Sequence, residues 1–154
     1  MASIVVSLPD EAATLRLGER LAAGIGPGRV MHLRGDLGAG KTTLARGLLR
    51  ALGQSGRIKS PTYTLVELYP LSSLNLYHFD LYRFKDRTEW LNSGFREYFN
   101  ADSACLVEWP ERAGDLLSPP DVDVHLEFDG AGRRARLASH TPAGSSWLSS
   151  LSSS

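Results

Sequence analysis

The stretch Gly35-Asp36-Leu37-Gly38-Ala39-Gly40-Lys41-Thr42 sets two glycines on either side of a four-residue gap and follows them with a lysine and a hydroxyl. Glycines in that pattern let successive backbone N–H groups turn inward without a side chain in the way, and some of the positions need a positive φ. A helix starting at Lys41 would add its positive N-terminal end. Lys41 then supplies a point charge for the β- and γ-phosphates of a nucleoside triphosphate, Thr42 a hydroxyl for Mg²⁺ and Thr43 a further phosphate contact, with Gly38, Ala39 and Gly40 lining the cradle. A loop that only turned a strand into a helix would have no use for Lys41-Thr42. The spacing also differs from the Gly-x-Gly-x-x-Gly of a dinucleotide fold, which favours a triphosphate over NAD.

Such a cradle needs an acid at the end of a neighbouring strand to hold the hydration shell of the metal, and Ala104-Cys105-Leu106-Val107-Glu108 has that form. Glu108 is the candidate, against the alternative of a surface acid; Trp109 beside it is either core or a nucleotide contact. Two further segments carry chemistry. In Lys59-Ser60-Pro61-Thr62-Tyr63-Thr64 the proline fixes a turn and the hydroxyls could sense a γ-phosphate. In Tyr77-His78-Phe79-Asp80-Leu81-Tyr82-Arg83, strand alternation puts His78, Asp80 and Tyr82 on one face, a polar row that is costly in a core unless it meets a wet cleft. Asp80 could orient an attacking water; the other reading is a solvent-facing strand with ordinary ion pairs.

The elements that must position these residues are legible in outline. A strand over Ile4–Leu8, a helix from Asp10 toward Gly24, a short buried strand Val30–Leu33 and a helix Lys41–Leu52 with leucines at helical spacing come first. Gly53 to Gly56 should stop that helix. Thr62–Leu71 and Leu74–Phe84 read as a hairpin turning near Pro70 to Ser73 and inserted into the sheet. Thr88–Phe99 reads as helix in two pieces divided near Gly94, then the Ala104–Glu108 strand, a short helix over Glu111–Leu117, and a hairpin of Val122–Phe128 with Arg134–Ala138. The pattern predicts one α/β domain over residues 1–154, a nucleoside triphosphate hydrolase fold with a mixed central sheet, hairpin insertions and flanking helices. From about 142 to 154 the serine-rich tail is expected to be loosely ordered, although Trp147, Leu148 and Leu151 could dock as a short helix.

Bulk properties narrow the classes. The 154 residues suffice for a core without disulfides, and the formal net charge of +0 gives no basic excess with which to grip nucleic acid unaided. Cys105 is the sole cysteine, so no internal disulfide or cysteine-based zinc cluster can form, and its apolar neighbours make it a core residue rather than a catalytic thiol. The first residues lack the positive head and long apolar core of a signal peptide, and no run approaches the ~18 apolar residues of a membrane span. A cytoplasmic protein without a membrane association is expected.

Taken together, Leu8-Pro9-Asp10-Glu11 with Thr14-Leu15, the Gly35–Thr43 loop, Lys59–Glu67, Tyr77–Arg83 and Leu106-Val107-Glu108-Trp109-Pro110 resemble the bacterial tRNA threonylcarbamoyladenosine biosynthesis ATPase family, TsaE, formerly YjeE. The resemblance spans nearly the whole chain and loosens after about Thr141. It implies ATP and Mg²⁺ as ligands and a role in N6-threonylcarbamoylation of adenosine 37 in tRNAs that read codons beginning with A. The transfer itself would belong to a TsaD-type protein paired with a TsaB-type protein, which this subunit would bind and serve by ATP hydrolysis, weak alone and stimulated by the pair. tRNA would be met only through that complex, and self-association is left open. By position the resemblance assigns Lys41 and Thr42 to phosphate and magnesium, Glu108 to the second magnesium-side acid, Asp80 to activity, Ser60 to Thr64 to a switch-like segment, and Arg133 of Gly132-Arg133 to an approach to the nucleotide.

Two rivals share these residues. A small-molecule kinase could use Arg83, Arg87 and Arg96 as a phosphate-clamping lid, and a binding module could use ATP to order Ser60 to Thr64 without turnover. A GTPase is disfavoured, since none of Asn75, Asn92 and Asn100 opens an Asn-Lys-x-Asp motif.

Overall fold

The computed structural model describes residues 2–54, 56–58, 60–72 and 74–152; Ser55, Lys59, Ser73 and the last two serines, on which parts of the switch, turn and tail expectations fell, lie outside the described residues. Seven strands form one sheet: β1 Ser3–Leu8, β2 Val30–Arg34, β3 Val66–Pro70, β4 Asn75–Asp80, β5 Ser103–Glu108, β6 Val122–Asp129 and β7 Gly132–Ser139. Their order is β1-β7-β6-β2-β5-β4-β3. The central β6-β2-β5-β4 block is parallel, and β3 and β7 run antiparallel to their neighbours. The sheet is therefore mixed, and the expected hairpin β3–β4 lies at its edge.

β2 and β5 hold the middle, where both faces are covered, and every residue of β5 is buried. This is why its apolar run is continuous rather than alternating. Helices α1 Glu11–Leu21, α2 Lys41–Ala51 and α4 Pro142–Ser152 share one core with Met31, Leu33, Leu76, Ala104, Leu106, Val124 and Leu137. The opposite core gathers Phe79, Cys105 and Val107 with Trp90 of α3 Arg87–Ser93 and the short turns after β5. Two helix starts are capped by side chains. Asp10 caps α1 by accepting from the Ala13 N–H at 2.8 Å, and Asp86 caps α3 by accepting from Thr88 and Glu89.

Three expectations need correction. Strands β3 and β4 are shorter than read, because Leu65 closes a turn on the Pro61 carbonyl at 2.8 Å with φ of 70°, and the chain turns again after Asp80, whose carboxylate takes the Tyr82 N–H. Tyr82 thus leaves the polar row and packs on Trp109, ring centroids 4.8 Å apart. In place of the helix over Glu111–Leu117 there are two short 3₁₀ turns, Pro110–Arg112 and Gly114–Leu116. Residues 142–152, expected loose, form α4: Thr141 accepts from the Gly144 N–H at 3.0 Å, Pro142 fits the first turn, and Trp147, Leu148 and Leu151 are buried, the indole donating to the Leu21 carbonyl at 2.9 Å.

Candidate functional site

The loop between β2 and α2 turns on glycines that no other residue could replace cheaply: Gly40, the residue before α2, has φ of 109°, and a Cβ on Gly35 would stand 2.7 Å from the Leu126 carbonyl. The loop opens onto two clefts that share Gly38, Gly40 and Thr43. One, about 230 Å³, is walled by Asp36, Leu37, Lys41, Thr42, Thr62, Asp80, Glu108 and Trp109. The other, about 220 Å³, is walled by Leu8, Asp10, Glu11, Thr14, Ala131, Gly132 and Arg133.

In the first cleft the two acids come from different strands. Parallel pairing of β4 with β5 sets Asp80 opposite Glu108, and pairing of β2 with β5 sets Leu33 opposite Glu108, so all three strand ends meet where the loop begins. Strand alternation then turns His78 and Asp80 of β4, and Leu106 and Glu108 of β5, toward the α2 side. All of Lys41, His78, Asp80 and Glu108 are buried. Lys41 Nζ donates to the carbonyl of Gly35 and, at 3.4 Å, to that of Asp36, and lies 4.1 Å from the centroid of the Trp109 ring. Trp109 itself sits in left-handed backbone, φ 57°, so the chain accepts local strain to hold the indole there.

Burial pushes the Lys41 pKa down, against the pull of Glu108, Asp80, Glu111 and Asp36. Burial pushes Asp80 up, the Tyr82 N–H at 2.9 Å opposes it, and the Glu108 charge adds to the rise. Two buried carboxylates beside a single desolvated ammonium make a site short of positive charge. Its donor set, the Thr42 hydroxyl with the Asp80 and Glu108 carboxylates, is all hard oxygen, which suits Mg²⁺ rather than zinc. Among the described residues no group of three or more His, Cys, Asp or Glu side chains could hold a metal alone. Magnesium sites commonly complete themselves with phosphate oxygens and water, so this set fits.

The other expected residues fall as follows. Thr42 is exposed at the helix start, and Thr43 borders both clefts. Ala39 does not line either: its side chain is buried under the loop and its N–H donates to the Asp36 carbonyl at 3.0 Å. Arg133 stands across the loop from the acids, donating to the Gly38 carbonyl at 3.0 Å and stacking 4.3 Å from the Phe128 ring. In the Ser60–Thr64 segment, Ser60 bonds Thr62 at 2.8 Å, Thr62 donates to Asp80 at 3.5 Å, and Tyr63 stands exposed with the Arg83 guanidinium 5.6 Å from its ring. Sequence reasoning gave no role to His78, whose Nε2 lies 2.6 Å from Glu108 Oε2, or to Thr14 and Asp10 as cleft walls. The polar row on β4 was the one available signal for His78.

A family model described as "Threonylcarbamoyl adenosine biosynthesis protein TsaE" matches residues 8–136. The chain is 41% identical over 157 residues to the tRNA threonylcarbamoyladenosine biosynthesis protein TsaE of Haemophilus influenzae, covering 99% of each. It is 38% identical to the protein of the same name from Bacillus subtilis, over 88% of this chain and 82% of that one. The crystal structure of the Bacillus subtilis protein YdiB superposes with a TM-score of 0.82 at 27% identity, over 99% of this chain and 95% of the other. The family model over residues 8–136 and relatives of this identity and coverage show that this chain belongs to the TsaE family, with the P-loop α/β fold of its structural neighbour.

Proposed function

We propose that this protein binds Mg²⁺-ATP at the Gly35–Thr42 loop and hydrolyses it to sustain tRNA threonylcarbamoyladenosine formation by a TsaB-type and TsaD-type pair, working in the cytoplasm. One observation carries the chemical part of the reading: Lys41 and Thr42 line one cleft together with Asp80 and Glu108. Loop N–H groups and the α2 N-terminus favour phosphate, and Lys41 exchanges its contacts with the Gly35 and Asp36 carbonyls for phosphate oxygens. Thr42 and Glu108 would hold Mg²⁺, which when bound neutralises charge on the β- and γ-phosphates. Asp80, whose proton affinity burial raises, is the group to orient water. The nucleoside would lie in the second cleft, between Thr14 and Arg133.

The balanced charge agrees with a subunit that leaves tRNA to its partners. No helix among the described residues is long and apolar enough to cross a membrane. A kinase lid loses its basis: Arg87 pairs with Asp115 at 2.8 Å, and Arg83, Arg87 and Arg96 line neither cleft.

The test is phosphate release from Mg²⁺-ATP by this protein and by Lys41→Ala, each alone and with the TsaB–TsaD-type pair. A slow rate that rises with the pair and drops at least ~100-fold in the variant is expected. A rate indifferent to the pair would remove the partner-served mechanism.

A further inference from the structure

His78 and Glu108 form a hydrogen bond of 2.6 Å between Nε2 and Oε2 with both side chains almost wholly shielded, at 2% and 4% exposure. The pair crosses the sheet diagonally. His78 is registered with Leu106, one pleat below the level at which Asp80 meets Glu108, so the imidazole lies under the cleft rather than in its wall. A carboxylate can only accept, so the proton in this bond belongs to Nε2. The other ring nitrogen, Nδ1, is buried with no partner among the described residues. An unpaired buried nitrogen costs of the order of 1–3 kcal/mol.

The same cleft treats its two acids differently. Asp80 has one oxygen held by the Tyr82 N–H and the other within 3.5 Å of Thr62, whereas Glu108 has, among the described residues, His78 as its bonded side-chain partner, on Oε2. Glu108 lines the cleft, and Oε1 is the oxygen that the bond to His78 leaves free to face it.

We infer that His78 is a positioning residue: by fixing Glu108 Oε2 from beneath, it aims Oε1 into the loop cleft and sets how tightly the nucleotide-bound protein holds its divalent cation. The inference rests on reading that cleft as a Mg²⁺-nucleotide site. It assigns no contact between His78 and nucleotide or metal; its action passes through Glu108. Partners one step removed from a metal commonly change metal affinity about 10- to 100-fold when lost.

ATP binding is measured by calorimetry across a range of Mg²⁺ concentrations and in EDTA, for the wild type, His78→Leu and His78→Gln, with near-UV circular dichroism as the check on packing. His78→Leu should need about 10- to 100-fold more Mg²⁺ for half-maximal binding while keeping its affinity in EDTA, because Lys41 and the loop are untouched. His78→Gln, whose amide can replace the Nε2–H donor, should recover to within about threefold of wild type. A folded His78→Leu with wild-type Mg²⁺ dependence would overturn the inference while leaving the reading of the cleft intact. Failure of the wild type to bind nucleotide at all would overturn both. A second arm needs no variant at His78 and decides even if His78→Leu does not fold: ¹⁵N spectra of the imidazole in the wild-type protein should show the proton on Nε2, with a signal that moves in Glu108→Gln. A proton on Nδ1 in the resting protein would refute the bond on which the inference stands.

Discussion

His32 occupies the central strand with 4% of its surface exposed, and neither ring nitrogen has a hydrogen-bond partner among the described residues. Met31 and Leu33 on either side enter the core shared with α2, so alternation turns the imidazole to the opposite face. Burial, aided by the charge of Arg34 and the nearby His140, lowers its pKa from 6.5 to about 3. The unfolded chain therefore binds a proton at His32 that the folded chain refuses, at every pH between these values. Stability from this residue is intact above about 6.5, falls as pH drops through that value, and reaches its full loss only below about 3. At pH 5 the folded protein gives up roughly 1.5 pH intervals of 1.36 kcal/mol, about 2 kcal/mol, against a total of about 5–15 for a domain.

Replacing His32 by leucine, of similar volume and without nitrogens, should remove that sensitivity. Urea unfolding followed by tryptophan fluorescence, at pH 7.5 and pH 5.0, gives the stability of both proteins. The difference between variant and wild type should grow by about 2 kcal/mol in the variant's favour at the lower pH. Asp80 and every other acid are common to the two proteins, so their titration cancels in the difference. At pH 7.5 the variant should be no less stable, since two unpaired buried nitrogens leave the sheet. A difference that stays constant with pH would refute the reasoning, because it would mean that His32 takes up its proton equally in the folded and unfolded chains.

Two further changes probe the frame around the site. A Cβ on Gly47 would stand 2.3 Å from the Leu15 carbonyl where α1 and α2 cross, so Gly47→Ala should lower the urea unfolding free energy by about 2 kcal/mol despite the better helix propensity of alanine. Trp147→Ala should cost about 3–5 kcal/mol in the same measurement, as expected for a buried indole that also loses its bond to Leu21; an effect under about 1 kcal/mol would mean that α4 contributes nothing to the core.

What the sequence disclosed depends on how far apart the cooperating residues lie. The phosphate loop was readable because its glycines, Lys41 and Thr42 are contiguous and the strand and helix on either side have short, strong periodicities. β5 was readable because full burial on both faces writes an unbroken apolar run. The tail was half legible: its serine-rich composition suggested loose order, while the helical spacing of Trp147, Leu148 and Leu151 pointed to the docked helix that meets α1 and the sheet. The meeting of Asp80 with Glu108, and of His78 with Glu108, is of another kind. It depends on the register between β4 and β5, 28 residues apart at Asp80 and Glu108, and a slip of one residue would turn His78 and Asp80 into the opposite core. Local pattern can say that a histidine and an aspartate share a face, but only the pairing of strands says which glutamate they face. Neither Arg133 nor Thr14 could be placed from its neighbours: their shared cleft joins the first helix to the last hairpin across the loop. The chemistry of this site is thus held partly in a motif and partly in strand register, and it is the second part that substitutions in β4, remote from the glycine loop in sequence, should disturb first.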